Sequence, residues 1–160
     1  MKPPPALAGA RVLEYAIVDD SLKFTGALQV YVDGTRLGAV PRLAICENLD
    51  DAELLLLHCD DSWNVLGVQA WNAGEDPIVE SVEDVKARAE TYYVGITRKW
   101  QTHGASREEA KAYQTANVGI QKCSFCGRTM HEVHTLLVAE SGARICDLCI
   151  RKFHEDMAGR

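Results

Sequence analysis

Apolar and polar positions alternate from Arg11 to Val18, through Val12, Leu13, Tyr15, Ile17 and Val18, which predicts a strand closed by the turn Asp19-Asp20-Ser21. Leu22 to Val32 repeats the pattern, with Leu28, Val30 and Val32 on one face, and Gly26 inside it suggests a bulge. Asp33-Gly34 is a hairpin signal, so Thr35 to Val40 is read as the return strand. Pro41 breaks the pattern, leaving Arg42–Cys46 as a short strand or a turn of helix before the polar connection Glu47–Asp51. Ala52–Cys59, apolar around Leu54–Leu57, reads as a buried central strand. Asp60-Asp61-Ser62 is a turn, Val65–Trp71 a further strand, and Asn72–Pro77 a loop.

The period then changes. Val82, Val85, Ala89, Tyr92, Ile96 and Trp100 recur at helical spacing behind Ser81, with Asp84 three residues on. This predicts one long amphipathic helix, capped at Ser81, running to about Gln101 and ended by His103-Gly104. Ser106 with Glu109 opens a second helix through about Ala116, and Asn117-Val118-Gly119 is a hinge. Strands followed by helices predict an α+β domain: four or five antiparallel strands covered on one face by one or two helices.

After the hinge the pattern is ruled by cysteine. Cys123-Ser-Phe-Cys126 and Cys146-Asp-Leu-Cys149 are two Cys-x2-Cys pairs. Each such turn presents two thiolates to one ion, and two turns complete the tetrahedron that zinc prefers, with no position left for water or substrate. One structural Zn2+ held by Cys123, Cys126, Cys146 and Cys149 follows; with that shell full, His131 and His134 are not expected to bind it. Gly127 frees the backbone to turn around the metal. Thr135–Ala139 and Ala143–Ile145 are short strands about the turn Glu140-Ser141-Gly142, and Ile150, Phe153 and Met157 share one face of a closing helix. The start of that helix places a positive dipole end beside the thiolates.

Cys-Ser-Phe-Cys-Gly-Arg-Thr-Met-His-Glu-Val from Cys123, followed by Leu136-Leu137-Val138 and Ile145-Cys146-Asp147-Leu148-Cys149, resembles the zinc-binding domain of ClpX, the unfoldase of the bacterial ClpXP protease. The resemblance covers roughly residues 120–157. It implies a four-cysteine treble clef that dimerises and docks adaptors and substrates. In ClpX the finger comes first and an ATPase follows. Here the finger comes last, and no Gly-x4-Gly-Lys-Ser/Thr phosphate loop occurs anywhere, so an unfolding motor is not implied.

Composition narrows the classes further. The chain has 160 residues, 47% of them hydrophobic, enough for one ordinary domain plus a finger. Residues 1–120 hold 11 Lys and Arg against 18 Asp and Glu, whereas residues 121–160 hold 6 against 5. An acidic main domain argues against general nucleic-acid binding. Lys122, Arg128, Arg144, Arg151 and Lys152 offset the charge of the metal site. The start, Met-Lys-Pro-Pro-Pro, lacks the apolar run of a signal peptide, and no stretch reaches membrane-spanning length, so a reducing, cytoplasmic compartment is expected.

Other candidates for chemistry have plainer explanations. His58-Cys59-Asp60-Asp61 would offer a base and a nucleophile, but it reads as a buried strand end before an acidic turn. Asp19-Asp20, Asp50-Asp51 and Asp60-Asp61 sit where turns favour aspartate. Cys46 and Cys59 read as buried free thiols, although a pairing is conceivable on sequence grounds. Trp63, Trp71 and Trp100 with Tyr92 and Tyr93 read as core. The finger's apolar residues, among them Phe125, Leu137, Val138, Ile150 and Phe153, exceed what so small a unit can bury alone.

The sequence therefore divides into a flexible start (1–9), an α+β domain (10–117) and a small treble-clef finger (118–160). The expected function is a non-enzymatic, adaptor-like bacterial protein, docking partner proteins or a second copy through its finger. An enzyme sited in the acidic domain, or a nucleic-acid regulator using the finger, are the alternatives.

Overall fold

The computed structural model describes residues 1–71, 79–118 and 121–160 and divides into two compact units, Met1–Gln114 and Thr115–Arg160. The expected loop Asn72–Pro77 and the hinge residue Gly119 lie outside the described residues.

The first unit is built on an antiparallel sheet of β1 (Ala6–Leu7), β2 (Ala10–Ile17), β6 (Arg42–Asn48), β7 (Leu54–Cys59) and β8 (Val65–Ala70) in that order, with β10 (Gln101–Thr102) also pairing β2. Arg42–Cys46, ambiguous in sequence, is the centre of the sheet. Its alternation is hidden because both faces are covered: Leu43, Ala44, Ile45 and Cys46 are all fully buried. One face carries Leu43, Ile45 and Leu56 beneath α1 (Val82–Tyr92), which contributes Val85, Ala89 and Tyr92. The opposite face packs Val12, Ala44, Cys46, Leu55, Leu57, Cys59 and Trp63 with Tyr15 and Leu7. The aromatic residues thus split: Trp71, Trp100, Tyr92 and Tyr93 serve the first cluster and Trp63 the second.

Two long elements expected from periodicity are interrupted. Leu22–Val32 pairs only as β3 (Lys23–Phe24) and β4 (Tyr31–Val32), the latter joined to β5 (Thr35–Arg36) by Asp33 and Gly34 at φ 50 and 78. Gly26, at φ 75, turns the chain between them and does not form a bulge within one strand. The helix capped by Ser81 stops at Tyr92, well short of Gln101. Tyr93–Val94 becomes β9 and pairs with β3, and the Tyr93 hydroxyl accepts the Val40 N–H at 3.0 Å. Gly95 then takes φ 97, and the Glu90 carboxylate accepts from the N–H groups of Gly95 and Thr97. Ile96 keeps its helical phase in sequence, yet reaches the core through a short 3-10 turn.

Residues 1–9, expected to be mobile, are paired and packed in this structure. Ala6 and Leu7 pair with Arg11 and Ala10 about a turn at Ala8 and Gly9, and Pro3, Ala6 and Leu7 are buried. Helix α2 (Arg107–Val118) opens with the expected box, in which Glu109 accepts from the Ser106 N–H and the Ser106 hydroxyl accepts from the Glu109 N–H. Its Ala110 packs with Ala6 and Leu49.

The second unit contains the hairpin β11 (Leu136–Val138) and β12 (Arg144–Cys146), followed by α3 (Asp147–Ala158). Among the described residues no helix is long and apolar enough to cross a membrane.

Candidate metal centre

Each cysteine pair sits on a turn that the local sequence dictates. In the first, Gly127 at φ 74 lets its N–H reach the Cys123 carbonyl at 3.0 Å, and the Cys123 N–H reaches the Arg128 carbonyl at 2.8 Å. Ser124 ties this turn to β12 from both sides: its N–H donates to the Arg144 carbonyl and its hydroxyl accepts the Arg144 N–H. In the second, Cys146 is the N-cap of α3, its sulfur accepting the Cys149 N–H at 3.4 Å. Two ligands therefore stand at a helix start, where the dipole favours negative charge.

The sulfurs converge. Cys123 Sγ lies 3.8 Å from Cys149 Sγ, Cys126 Sγ lies 3.7 Å from Cys146 Sγ, and all four atoms fall within 4.8 Å of one another. A tetrahedron with Zn–S bonds of about 2.3 Å has edges of about 3.8 Å, so the spacing matches a zinc shell, whereas a disulfide would need sulfurs at about 2.0 Å. Among the described residues these four form the one group of Cys, His, Asp or Glu donors placed to hold a metal; His131 and His134 are not part of it.

The electrostatics fit a dication. Burial opposes the Cys123 thiolate, but N–H groups of Cys126, Phe125 and Cys146 directed at its sulfur outweigh it and hold the thiol down to about 6. Cys149 is pushed up to about 12 by burial and by the three neighbouring sulfurs. Four thiolates at these distances would need a central cation, the role Zn2+ would fill when bound. Arg128, hydrogen-bonded to Cys126, adds positive charge at the rim.

Two positioning residues escaped the sequence reading. Asp147 Oδ1 accepts the N–H groups of His134 and Thr135 at 3.1 Å, fixing the approach to β11 against the start of α3. Glu132 accepts from the Thr129 N–H and hydroxyl and closes the loop after the first pair. The signal for Asp147 was available: an acidic residue in the first turn of a helix that begins at a ligand cysteine.

The remaining candidates stay apart. Neighbours on a strand face opposite sides, so His58 points to the α1 face, across from Leu43 and Gly67, and Cys59 joins the opposite cluster. Both are fully buried. Burial pushes the Cys59 thiol up to about 12 and holds His58 down to about 4, with the Gln69 amide offsetting the latter only in part. Cys46 and Cys59 cannot pair, because their partners Leu55 and Arg42 place them four residues apart along β6, about 13 Å. Asp60 accepts from the N–H groups of Ser62 and Asn64, and Asp19 from Ser21 and Lys99, as turn residues do.

The family model of the ClpX C4-type zinc finger matches residues 121–158. No curated protein and no solved structure matches the chain. By sequence match and by sulfur geometry alike, residues 121–158 form a zinc-finger region similar to that of ClpX, with Cys123, Cys126, Cys146 and Cys149 placed for one structural zinc.

Proposed function

We propose that this chain is a non-enzymatic protein-interaction factor of the bacterial cytoplasm, in which the finger docks partner proteins or a second copy of itself. The observation that carries this reading is the finger's exposed apolar face. Phe125, Leu137 and Val138 are 60%, 52% and 56% exposed, and with Ala139, Ala143 and Ile145 they line a groove of about 370 Å³. Phe153 of α3 stacks edge-on against Phe125 at 5.4 Å, extending the face. An apolar patch of this kind on so small a unit is the ordinary mark of a docking surface. The closed cysteine shell supports a structural role for the metal, since it offers no open position. The separation of His58 from Cys59 supports a role without catalysis, and the acidic balance of residues 1–120 supports a protein partner over a nucleic acid.

The test compares the zinc-loaded wild type with a Leu137→Asp, Val138→Asp variant. Sedimentation reads self-association, and capture from a bacterial lysate with mass spectrometry reads partners. The wild type is expected to form a dimer or retain a defined protein, and the variant to lose this at unchanged zinc stoichiometry. A wild type that stays monomeric and retains nothing, or a variant that binds equally well, overturns the proposal.

A further inference from the structure

The first five residues are recognised by the sheet unit as a ligand would be. Lys2, Pro3 and Pro4 each precede a proline, so this stretch is held in extended or polyproline II geometry. Two of its carbonyls, those of Met1 and Pro3, are taken by side chains, and that of Pro5 accepts the Val12 N–H at 3.0 Å. Trp63 Nε1 donates to the Met1 carbonyl at 3.2 Å, and Arg42 donates to the same oxygen at 3.1 Å. His103 Nε2 bonds the Pro3 carbonyl at 2.9 Å, while its Nδ1 accepts the Ala105 N–H, which leaves the ring proton on Nε2. Pro3 is buried, whereas Met1 and Lys2 are exposed.

The three donors come from separate places: the start of β6, the turn between β7 and β8, and the residue after β10. Tyr15 joins two of them, edge-on to Trp63 at 5.8 Å and to His103 at 6.3 Å, and the Arg42 guanidinium lies 5.0 Å over the Trp63 ring. A second observation singles out Trp63. It has φ 66, in the left-handed region that suits glycine or asparagine and strains a bulky residue. Strain held at one residue is a feature of ligand clamps, and this backbone aims the indole N–H at the segment.

A row of aromatic rings with an indole N–H, facing the carbonyls of a proline-fixed chain, is the way polyproline II segments are recognised. We propose that Tyr15, Arg42, Trp63 and His103 form a binding groove for a proline-rich segment of a partner protein, filled in this structure by residues 1–5. The side-chain bonds go to carbonyls, which every such segment offers, and not to side chains peculiar to Met1–Pro5. The acidic balance of residues 1–120 favours a segment flanked by Lys or Arg, as Pro3 is by Lys2. A tethered occupant acts at millimolar effective concentration, so it weakens binding of the partner segment until it is loosened.

The test uses the full zinc-loaded chain and a synthetic, end-blocked peptide of residues 1–7. The readout is the Trp63 indole N–H resonance, assigned with Trp63→Phe. A Pro3→Gly, Pro4→Gly variant is expected to bind the peptide at least tenfold more tightly than the wild type, and a peptide with its prolines replaced by alanine is expected not to bind. Leu137→Asp in the finger is expected to leave the response unchanged, which separates this groove from the finger's face. A folded variant whose indole signal ignores the peptide overturns the proposal. So does a wild type that exchanges residues 1–5 between two copies, seen as a dimer lost on Trp63→Phe. If the variant does not fold, the wild type is titrated alone to tens of millimolar: a saturable shift of the Trp63 and His103 signals supports the groove, and none overturns it.

Discussion

Beneath α1 the sheet unit gathers eleven buried residues, aliphatic or aromatic, from β2, β6, β7, α1, β9 and the loops between β3 and β6 and after β9. The finger gathers four, Cys123, Val133, Cys146 and Cys149, and three of them are metal ligands. The same purpose, an interior without water, is met by side-chain area in one unit and by a coordination shell in the other. The reason is size: surface outgrows volume in a small unit, which cannot bury enough apolar area to offset its chain entropy. In the finger, apolar residues are left on the outside, where Leu137, Val138 and Phe125 are more than half exposed. In the sheet unit, similar residues on β6 and β7 are sealed on both faces.

The contrast is broken most directly by removing the metal. Chelation, or Cys126→Ser, is expected to unfold residues 121–158 and leave the sheet unit's spectrum in place, because structural zinc supplies on the order of 10 kcal/mol to a finger of this kind. Zinc content and amide resonances of both units read the result, and finger resonances that survive chelation would sink the comparison.

A large-to-small change in the sheet core does the reverse. Leu56→Ala, at a fully buried site, is expected to cost about 3 kcal/mol of sheet-unit stability in urea without altering zinc content. A matching fall in zinc content would show that the two units do not keep separate interiors.

Acid sharpens the contrast at a similar scale. His58 is buried on the α1 face, and burial holds it down to about 4 against an unfolded value near 6.5. A depressed histidine binds its proton more readily when unfolded. Its contribution is therefore fully present above about pH 6.5 and is lost as pH falls toward 4, by roughly 3 kcal/mol in all. His58→Leu is expected to flatten this limb of the stability curve; an unchanged limb would assign the acid sensitivity elsewhere.

The smallest effect tests a local device. Ser81→Ala removes the hydroxyl that accepts the Asp84 N–H at the start of α1 and is expected to cost about 1 kcal/mol, read as a shift in the urea midpoint of the sheet unit alone. A midpoint that does not move would show that α1 is held by its buried face and not by its cap.

The metal site was legible because zinc imposes it locally. Cysteine spacing, Gly127 and the helix after Cys146 are all near neighbours in sequence, and ligand chemistry leaves few alternatives. Capping boxes at Ser81 and Ser106 were legible for the same reason, since each is closed within three residues. The strands Ala10–Ile17, Leu54–Cys59 and Val65–Ala70 followed from runs of apolar and β-prone residues between turns.

Tertiary structure alone decided the rest. The helical period through Ile96 and Trp100 is real in sequence, yet pairing of Tyr93 with Phe24 and the bond from Val40 to Tyr93 end the helix early. Periodicity reports which side of an element is apolar, not whether a distant strand competes for its backbone. Met1–Pro5, proline-rich and without periodicity, bonds to Arg42, Trp63 and His103, donors far along the chain. His58 and Cys59 are adjacent in sequence and divided by the sheet. Turns and caps were legible because a few neighbouring residues close them, and the zinc shell because ligand chemistry joins two local Cys-x2-Cys turns. Which backbone groups far apart in the chain satisfy one another depended on the fold, because a buried N–H or carbonyl must find a partner wherever the fold brings one.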